Sequence, residues 1–323
     1  MAQTERELVK AEPLKISTVK VRKLQIFLHS VTLISDQGGK VVLTILSIQG
    51  GLTVASIENH APVTTLGVVI KVTTLYGHGV QSCTVYHEQN LTVVLQAGSR
   101  NEEHANSGIG HALRIAAGLG TKNNSGFGIC RNLQQAGASL TCVQGREHTL
   151  YTIQATRDST DLAADFLCDV VSNQAFKPWE LERNLPRMKL ELATKSPAAD
   201  AVEMLHQAAF RSGLGNSLYC APHKVGSHNT AALQTFVSKH FTSGRSALLG
   251  IGVNHASLAK FGELLNLEAG SGPADVASKY SGGEVRAETG GALAYVAIAG
   301  NCAGAVSVGD CVAAMLLQVD IHS

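Results

Sequence analysis

The residue of this chain best placed to do chemistry is a histidine in an alanine-rich, helix-like stretch. In the H-x-x-E-H pattern of a zinc hydrolase, two histidines four residues apart bind the metal from one helical face, and the glutamate activates water. Within residues 108–122, His111 takes the place of the first histidine, Arg114 that of the glutamate and Ile115 that of the second histidine. Arginine supplies no base and adds a positive charge beside a divalent cation. The stretch therefore predicts a helix that has lost hydrolytic chemistry.

Composition excludes several classes of function. The chain has 323 residues with 26 Lys and Arg against 25 Asp and Glu, so it lacks the basic excess of a nucleic-acid-binding surface. No apolar run approaches the roughly 20 residues that span a bilayer. The 7 cysteines are odd in number and form no C-x-x-C, which favours free thiols over disulfides or a zinc ribbon. No complete nucleotide-binding glycine motif occurs, so no cofactor is predicted.

The rest of the sequence alternates strand and helix patterns that would position this helix. Strands are predicted for short apolar runs and for short runs in which apolar and polar residues alternate. Helices are predicted where apolar residues recur at helical spacing. The predicted strands are 52–58, 63–71, 91–95 (at the end of an expected insert described below), 139–143, 150–155, 246–253 and 293–299. The predicted helices are 107–118, 125–135, 160–171, 179–194, 199–211, 231–240, 257–267 and 310–318. Pro186 is expected to interrupt the helix over 179–194, because proline removes a backbone hydrogen bond.

Several segments, in order, resemble the pitrilysin and mitochondrial processing peptidase family. They resemble most closely its core subunits of the cytochrome bc1 complex, and the altered zinc motif agrees with that branch. The segments are Gly51–Lys71, Ala97–Glu102, Leu218–Pro222, His240–Arg245 and Leu249–His255. The resemblance implies an α+β fold, with a pitrilysin-like domain of helices packed on a largely antiparallel sheet and part of a second such domain.

The resemblance also locates the position of the third zinc ligand. In active relatives a glutamate near the end of an E-R-x-V-I-L-R-E run completes the site. Aligned without gaps, Lys189 takes that position, and a shift of two residues would bring in Glu191 instead. Either alignment leaves fewer than the three protein ligands of a catalytic zinc site. We therefore predict no catalytic, metal or cofactor residues, and His111, Arg114, Ile115 and Lys189 mark the altered motif.

The resemblance predicts four segments of unequal length along the chain. It predicts an atypical N-terminal extension over 1–49, a pitrilysin-like domain over 50–269, a glycine-rich linker over 270–283 and the start of a second domain over 284–323. Residues 72–96 are expected to be an insert, because relatives run from the strand directly into Ala-Gly-Ser-Arg. Our hypothesis is that the insert is translated intron; the alternative is a real surface excursion. His78, Cys83 and His87 in the insert match no common zinc spacing.

The resemblance implies a non-catalytic structural subunit of complex III, the ubiquinol–cytochrome c reductase of mitochondria. Its partners would be core protein 1 and other complex III subunits, at the matrix side of the inner membrane, with no transmembrane segment. The alternative is a processing-peptidase-type subunit that binds mitochondrial presequences. Residues 1–46 contain Glu5, Glu7 and Glu12 among their basic residues, which a mitochondrial presequence normally avoids, so the location is expected from the resemblance alone.

Overall fold

The fold is α+β, as the sequence predicts. The computed structural model of the chain describes residues 29–34, 40–47, 51–58, 88–273, 278–288 and 293–300. These residues contain a 7-stranded sheet in the order β1-β2-β3-β7-β4-β6-β5. Its strands are β1 (His29–Ile34), β2 (Lys40–Ser47), β3 (Thr53–Glu58), β4 (Glu88–Leu95), β5 (Ser139–Gln144), β6 (Thr149–Thr156) and β7 (Ser246–Ile251). Neighbouring strands are antiparallel except β3 and β7, which are parallel, so the expectation of a largely antiparallel sheet is confirmed.

Alternating burial along the central strands builds the core. Leu91, Val93 and Leu95 of β4 are buried, and so are Tyr151 and Ile153 of β6. Val93 is the Cα partner of Tyr151, and Leu91 is that of Ile153. Side chains that are directly opposite in an antiparallel pair contact each other, so these pairs fix the register of the two strands. They form one cluster with the buried face of the helix that follows β6.

Strand β4 changes the interpretation of residues 72–96. These residues are expected to be an insert with a strand-like end at 91–95. In the structure Glu88–Leu95 pair with β6 on one side and with β7 on the other. The last part of the expected insert is therefore a central strand, because its alternating apolar residues fill the core. The predicted strand 63–71 and the histidines and cysteine of the expected insert are outside the described residues.

Helices on the sheet begin and end near their predicted limits. They are α1 (Ile109–Ala116), α2 (Gly126–Gln135), α3 (Thr160–Ser172), α4 (Pro178–Ala193), α5 (Pro197–Ala209), α6 (Thr230–His240) and α7 (His255–Leu264). Ser125 Oγ accepts a hydrogen bond from the N–H of Gly128 and caps α2. Asn229 caps α6 in the same way. Within the described ranges no helix is both long and apolar enough to cross a membrane.

Helix α4 runs unbroken through Pro186, so the expected interruption is wrong. Pro186 is exposed, and the helix loses only the backbone bond that this residue could have donated. The opposite face keeps its contacts, since Met188 is buried against α1. Packing of that face outweighs the local cost of the proline.

The glycine-rich segment 270–283 contacts the domain, although the sequence predicts an interdomain linker. Tyr280 forms an isolated antiparallel bridge with Phe210, and their rings meet edge to face with centroids 6.0 Å apart. The N–H of Ser281 donates to the carbonyl of Ala209 at 2.9 Å. Residues 293–300 have no regular structure, so the predicted strand 293–299 is wrong: its apolar side chains are exposed and do not pack. The predicted helix 310–318 is outside the described residues, and the domain boundaries stay predictions.

Candidate functional site

The altered zinc motif lies where α1 crosses α4. His111 is fully buried, and its Nε2 is 3.1 Å from Oε2 of Glu191 in the last turns of α4. The guanidinium of Arg114 donates through Nη2 to the same carboxylate oxygen. Residues three apart on a helix share a face, which is why both side chains of α1 reach one acceptor.

Both ring nitrogens of His111 are engaged. The backbone N–H of Cys220 points at Nδ1 over 3.2 Å, so Nδ1 accepts and the ring proton is on Nε2, where it is donated to Glu191. Burial lowers the pKa of His111, which keeps the ring neutral. A zinc ion binds histidine through a free nitrogen lone pair. In His111 the lone pair of Nδ1 accepts a hydrogen bond and Nε2 holds the donated proton, so the residues present do not fit a zinc ion.

The carboxylate at this site belongs to Glu191. Lys189, which the ungapped alignment places at the ligand position, is exposed on α4, and the shift of two residues describes the structure instead. Burial opposes ionisation of Glu191, but the hydrogen bonds from His111 and Arg114 outweigh it and lower its pKa. Arg187 adds a weaker ion pair, with its Nε 3.6 Å from Oε1 of Glu191.

Ile115, at the position of the second histidine, makes the neighbouring surface apolar. It is buried in a small cluster with Met188 and Cys220, against the partly buried Ala112 and Val225. A side chain that packs in this way supplies no metal ligand. Across the parts of the chain that the structure describes, no three His, Cys, Asp or Glu side chains are grouped to hold a metal ion.

Sequence reasoning missed Glu102, which positions the start of α1. Its carboxylate is buried and accepts from the N–H groups of Gly108 at 2.6 Å and Gly110 at 2.9 Å. Burial raises the pKa of Glu102 to about 7, although these bonds and the ammonium of Lys224 oppose the rise. A carboxylate before a glycine-rich helix start is the one signal that could have identified it.

Asp169 of α3 fixes the chain on the other side of α1. Its carboxylate accepts from Thr121 Oγ1 at 2.5 Å and from the side-chain amides of Asn123 at 2.6 Å, Asn124 at 3.0 Å and Asn173 at 3.0 Å. These bonds lower the pKa of Asp169 against the opposing effect of burial. The Gly-Thr-Lys sequence after α1 therefore has a structural role here: its Thr121 joins the end of α1 to α3.

Comparison with known proteins shows which families this chain is similar to. The model of the insulinase family, peptidase family M16, matches residues 81–222, so the match begins inside the expected insert. The mitochondrial cytochrome b-c1 complex subunit 2 of Homo sapiens is 34% identical over 264 residues, which cover 81% of this chain and 53% of that protein. The Rattus norvegicus protein of the same name is 33% identical over the same shares.

A more distant relative is a probable mitochondrial-processing peptidase subunit alpha-1 of Arabidopsis thaliana. It is 30% identical over 234 residues, which cover 71% of this chain and 46% of that protein. The chain thus spans about half the length of the curated relatives it matches. The α+β fold, the M16 match and the order of relatives agree: over residues 81–222 this chain is similar to the insulinase family, peptidase family M16.

Proposed function

We propose that this chain is a non-catalytic structural core subunit of mitochondrial complex III, and that it supports the assembly and stability of that complex. The observation that carries the proposal is the hydrogen-bonded set of His111, Arg114 and Glu191, in which an arginine takes the place of the base and no ring nitrogen is available to a metal. Relatives named as complex III subunit 2 support the same conclusion.

The proposed partners are core protein 1 and neighbouring complex III subunits, with the chain peripheral to the matrix side of the inner membrane. The names of the relatives support a mitochondrial location, and the finer position follows the family resemblance. The alternative, a processing-peptidase-type subunit that binds presequences, has support from relatives of lower identity.

Metal content and peptide cleavage test the non-catalytic part of the proposal. The full chain would be purified beside the double variant Arg114→Glu/Ile115→His, which restores the H-x-x-E-H pattern. We expect no stoichiometric zinc and no cleavage of basic amphipathic peptides by the unmodified chain. Stoichiometric zinc together with turnover would contradict the proposal.

Assembly is tested separately, in isolated mitochondria. The chain, labelled and fused to a mitochondrial leader, would be imported, and complexes would then be separated on a native gel. We expect the label to co-migrate with complex III, with peptides of this chain in that band by mass spectrometry. Co-migration with the processing peptidase instead would favour the alternative.

A further inference from the structure

The position of Glu191 favours a cation between α1 and α4. Glu191 lies near the C-terminal end of α4, and Arg114 lies in the last turn of α1. The C-terminal end of a helix has a partial negative charge, so a carboxylate there is disfavoured and a cation is favoured. The side chain of Glu191 is 26% exposed, and water therefore solvates its carboxylate only in part.

Arg114 is the cation best placed for this purpose. Its guanidinium is as sheltered as the carboxylate, whereas Arg187, the other arginine that pairs with Glu191, is 57% exposed and more distant. The neutral ring of His111 donates a hydrogen bond but adds no charge. The guanidinium of Arg114 is thus the closest cation to the carboxylate that the resemblance offers, by a shift of two residues, as a zinc ligand.

We infer that the guanidinium of Arg114 is a tethered replacement for a metal ion, and that the place it occupies beside the Glu191 carboxylate, next to the His111–Glu191 hydrogen bond, is a binding site for a planar organic cation. This role rests on the proposed function, because a guanidinium in this position leaves no hydrolytic centre. It assigns Arg114 a positioning role: the residue joins α1 to α4 as a metal would, without the need for metal supply.

Chemical rescue tests this role on the full chain. Arg114→Ala removes the closer cation and leaves a partly sheltered carboxylate with the neutral ring of His111 and the more distant Arg187, so we expect its melting temperature to fall by roughly 2–4 °C. Millimolar methylguanidinium, a free copy of the lost group, should restore most of this fall. Methylammonium at the same concentration should restore less, because a point charge cannot reproduce the planar fork of donors.

Three variants control the rescue. Arg187→Ala removes an arginine from the same carboxylate, yet its melting temperature should change little and should not respond to methylguanidinium. Glu191→Gln in the Arg114→Ala background should abolish the response. Arg114→Lys should restore part of the stability without any added ligand.

The outcomes separate this role from the proposed function. If methylguanidinium stabilises Arg114→Ala no more than it stabilises Arg187→Ala, the cation site is refuted, whether or not the chain assembles into complex III. If Arg114→Ala does not fold, the yield of refolding with and without methylguanidinium gives the same decision. A chain that shows rescue but fails to assemble would refute the proposed function alone.

Discussion

Deletion of residues 72–96 would show whether this chain contains two segments that can each fill the centre of its sheet. The strand now in that position, β4, places Leu91, Val93 and Leu95 in the core. In the sequence before it, Leu66, Val68 and Ile70 have the same spacing, and each set is followed by a long polar residue, Lys71 or Gln96. After the deletion, residues 63–71 would join Ala97 directly. We therefore expect them to form the central strand of the variant.

The structure gives the expected size of the effect. Only one of the three core residues changes type, from leucine to isoleucine, and such exchanges cost less than about 1.5 kcal/mol. The connection after β3 shortens from residues 59–87 to 59–62, which by loop entropy favours the variant by about 1.8 kcal/mol. Strand β7 lies between β3 and β4, so the connection must cross about 10 Å, within the reach of about 14 Å for four residues. The free energy of unfolding should change by less than about 2 kcal/mol.

Urea denaturation followed by circular dichroism measures this change. Paired substitutions identify the strand: Leu91→Asp in the full chain and Leu66→Asp in the deletion variant should each cost at least about 3 kcal/mol, since each buries a charge in the core. An unfolded deletion variant, or one less stable by more than about 4 kcal/mol, would refute the equivalence of the two segments. It would also remove support for an insert at 72–96.

Three other perturbations address the buried carboxylates of Glu102 and Glu203 and the close backbone contact at Gly98. Burial raises the pKa of Glu102 from 4.5 to about 7, so the folded chain binds this proton more tightly than the unfolded chain. The free energy of unfolding should then fall by about 3 kcal/mol as pH rises through that interval, and urea denaturation at several pH values should show no such fall in Glu102→Gln. Gly98→Ala places a Cβ 2.3 Å from the backbone of Arg146 and should lower stability by at least about 2 kcal/mol in thermal denaturation; an unchanged melting temperature would contradict this close contact. Glu203→Gln removes the anion 2.5 Å from the buried guanidinium of Arg146 and should cost roughly 3–5 kcal/mol, whereas a smaller loss than in Gly98→Ala would show that the pair is solvated.

The sequence pattern predicted correctly those helices and strands that depend only on residues near each other in the chain. Helices α2 and α6 follow such a local rule, since apolar residues recur at helical spacing and the side-chain oxygens of Ser125 and Asn229 cap their starts. The strand 293–299 fails for the opposite reason: its apolar pattern fits a strand, but a strand needs a neighbour, and a local pattern does not supply one. Pro186 shows the same limit, since a tertiary contact preserves a helix that the local rule breaks.

The same distinction between local pattern and tertiary contact applies to the residues of the candidate site. The motif located His111 and Arg114 because their spacing on one helix is local, and it left two alignments open for the carboxylate on α4. Only the crossing of the two helices selects Glu191 over Lys189. The environment of Glu102 combines the N–H groups of a helix start with the charge of a distant lysine, which no single stretch of sequence contains.

The location of β7 determines when this domain can form during synthesis. Strand β7 separates β3 from β4, although both are made long before it. Until Ser246–Ile251 leave the ribosome, β3 and β4 each have an unpaired edge of the kind that joins other chains. Pairings between such distant parts of a chain form slowly and leave apolar surface exposed meanwhile. A nascent chain therefore completes its core only after β7 is made, and chaperones that cover open strand edges have the synthesis of residues 96–245 in which to act.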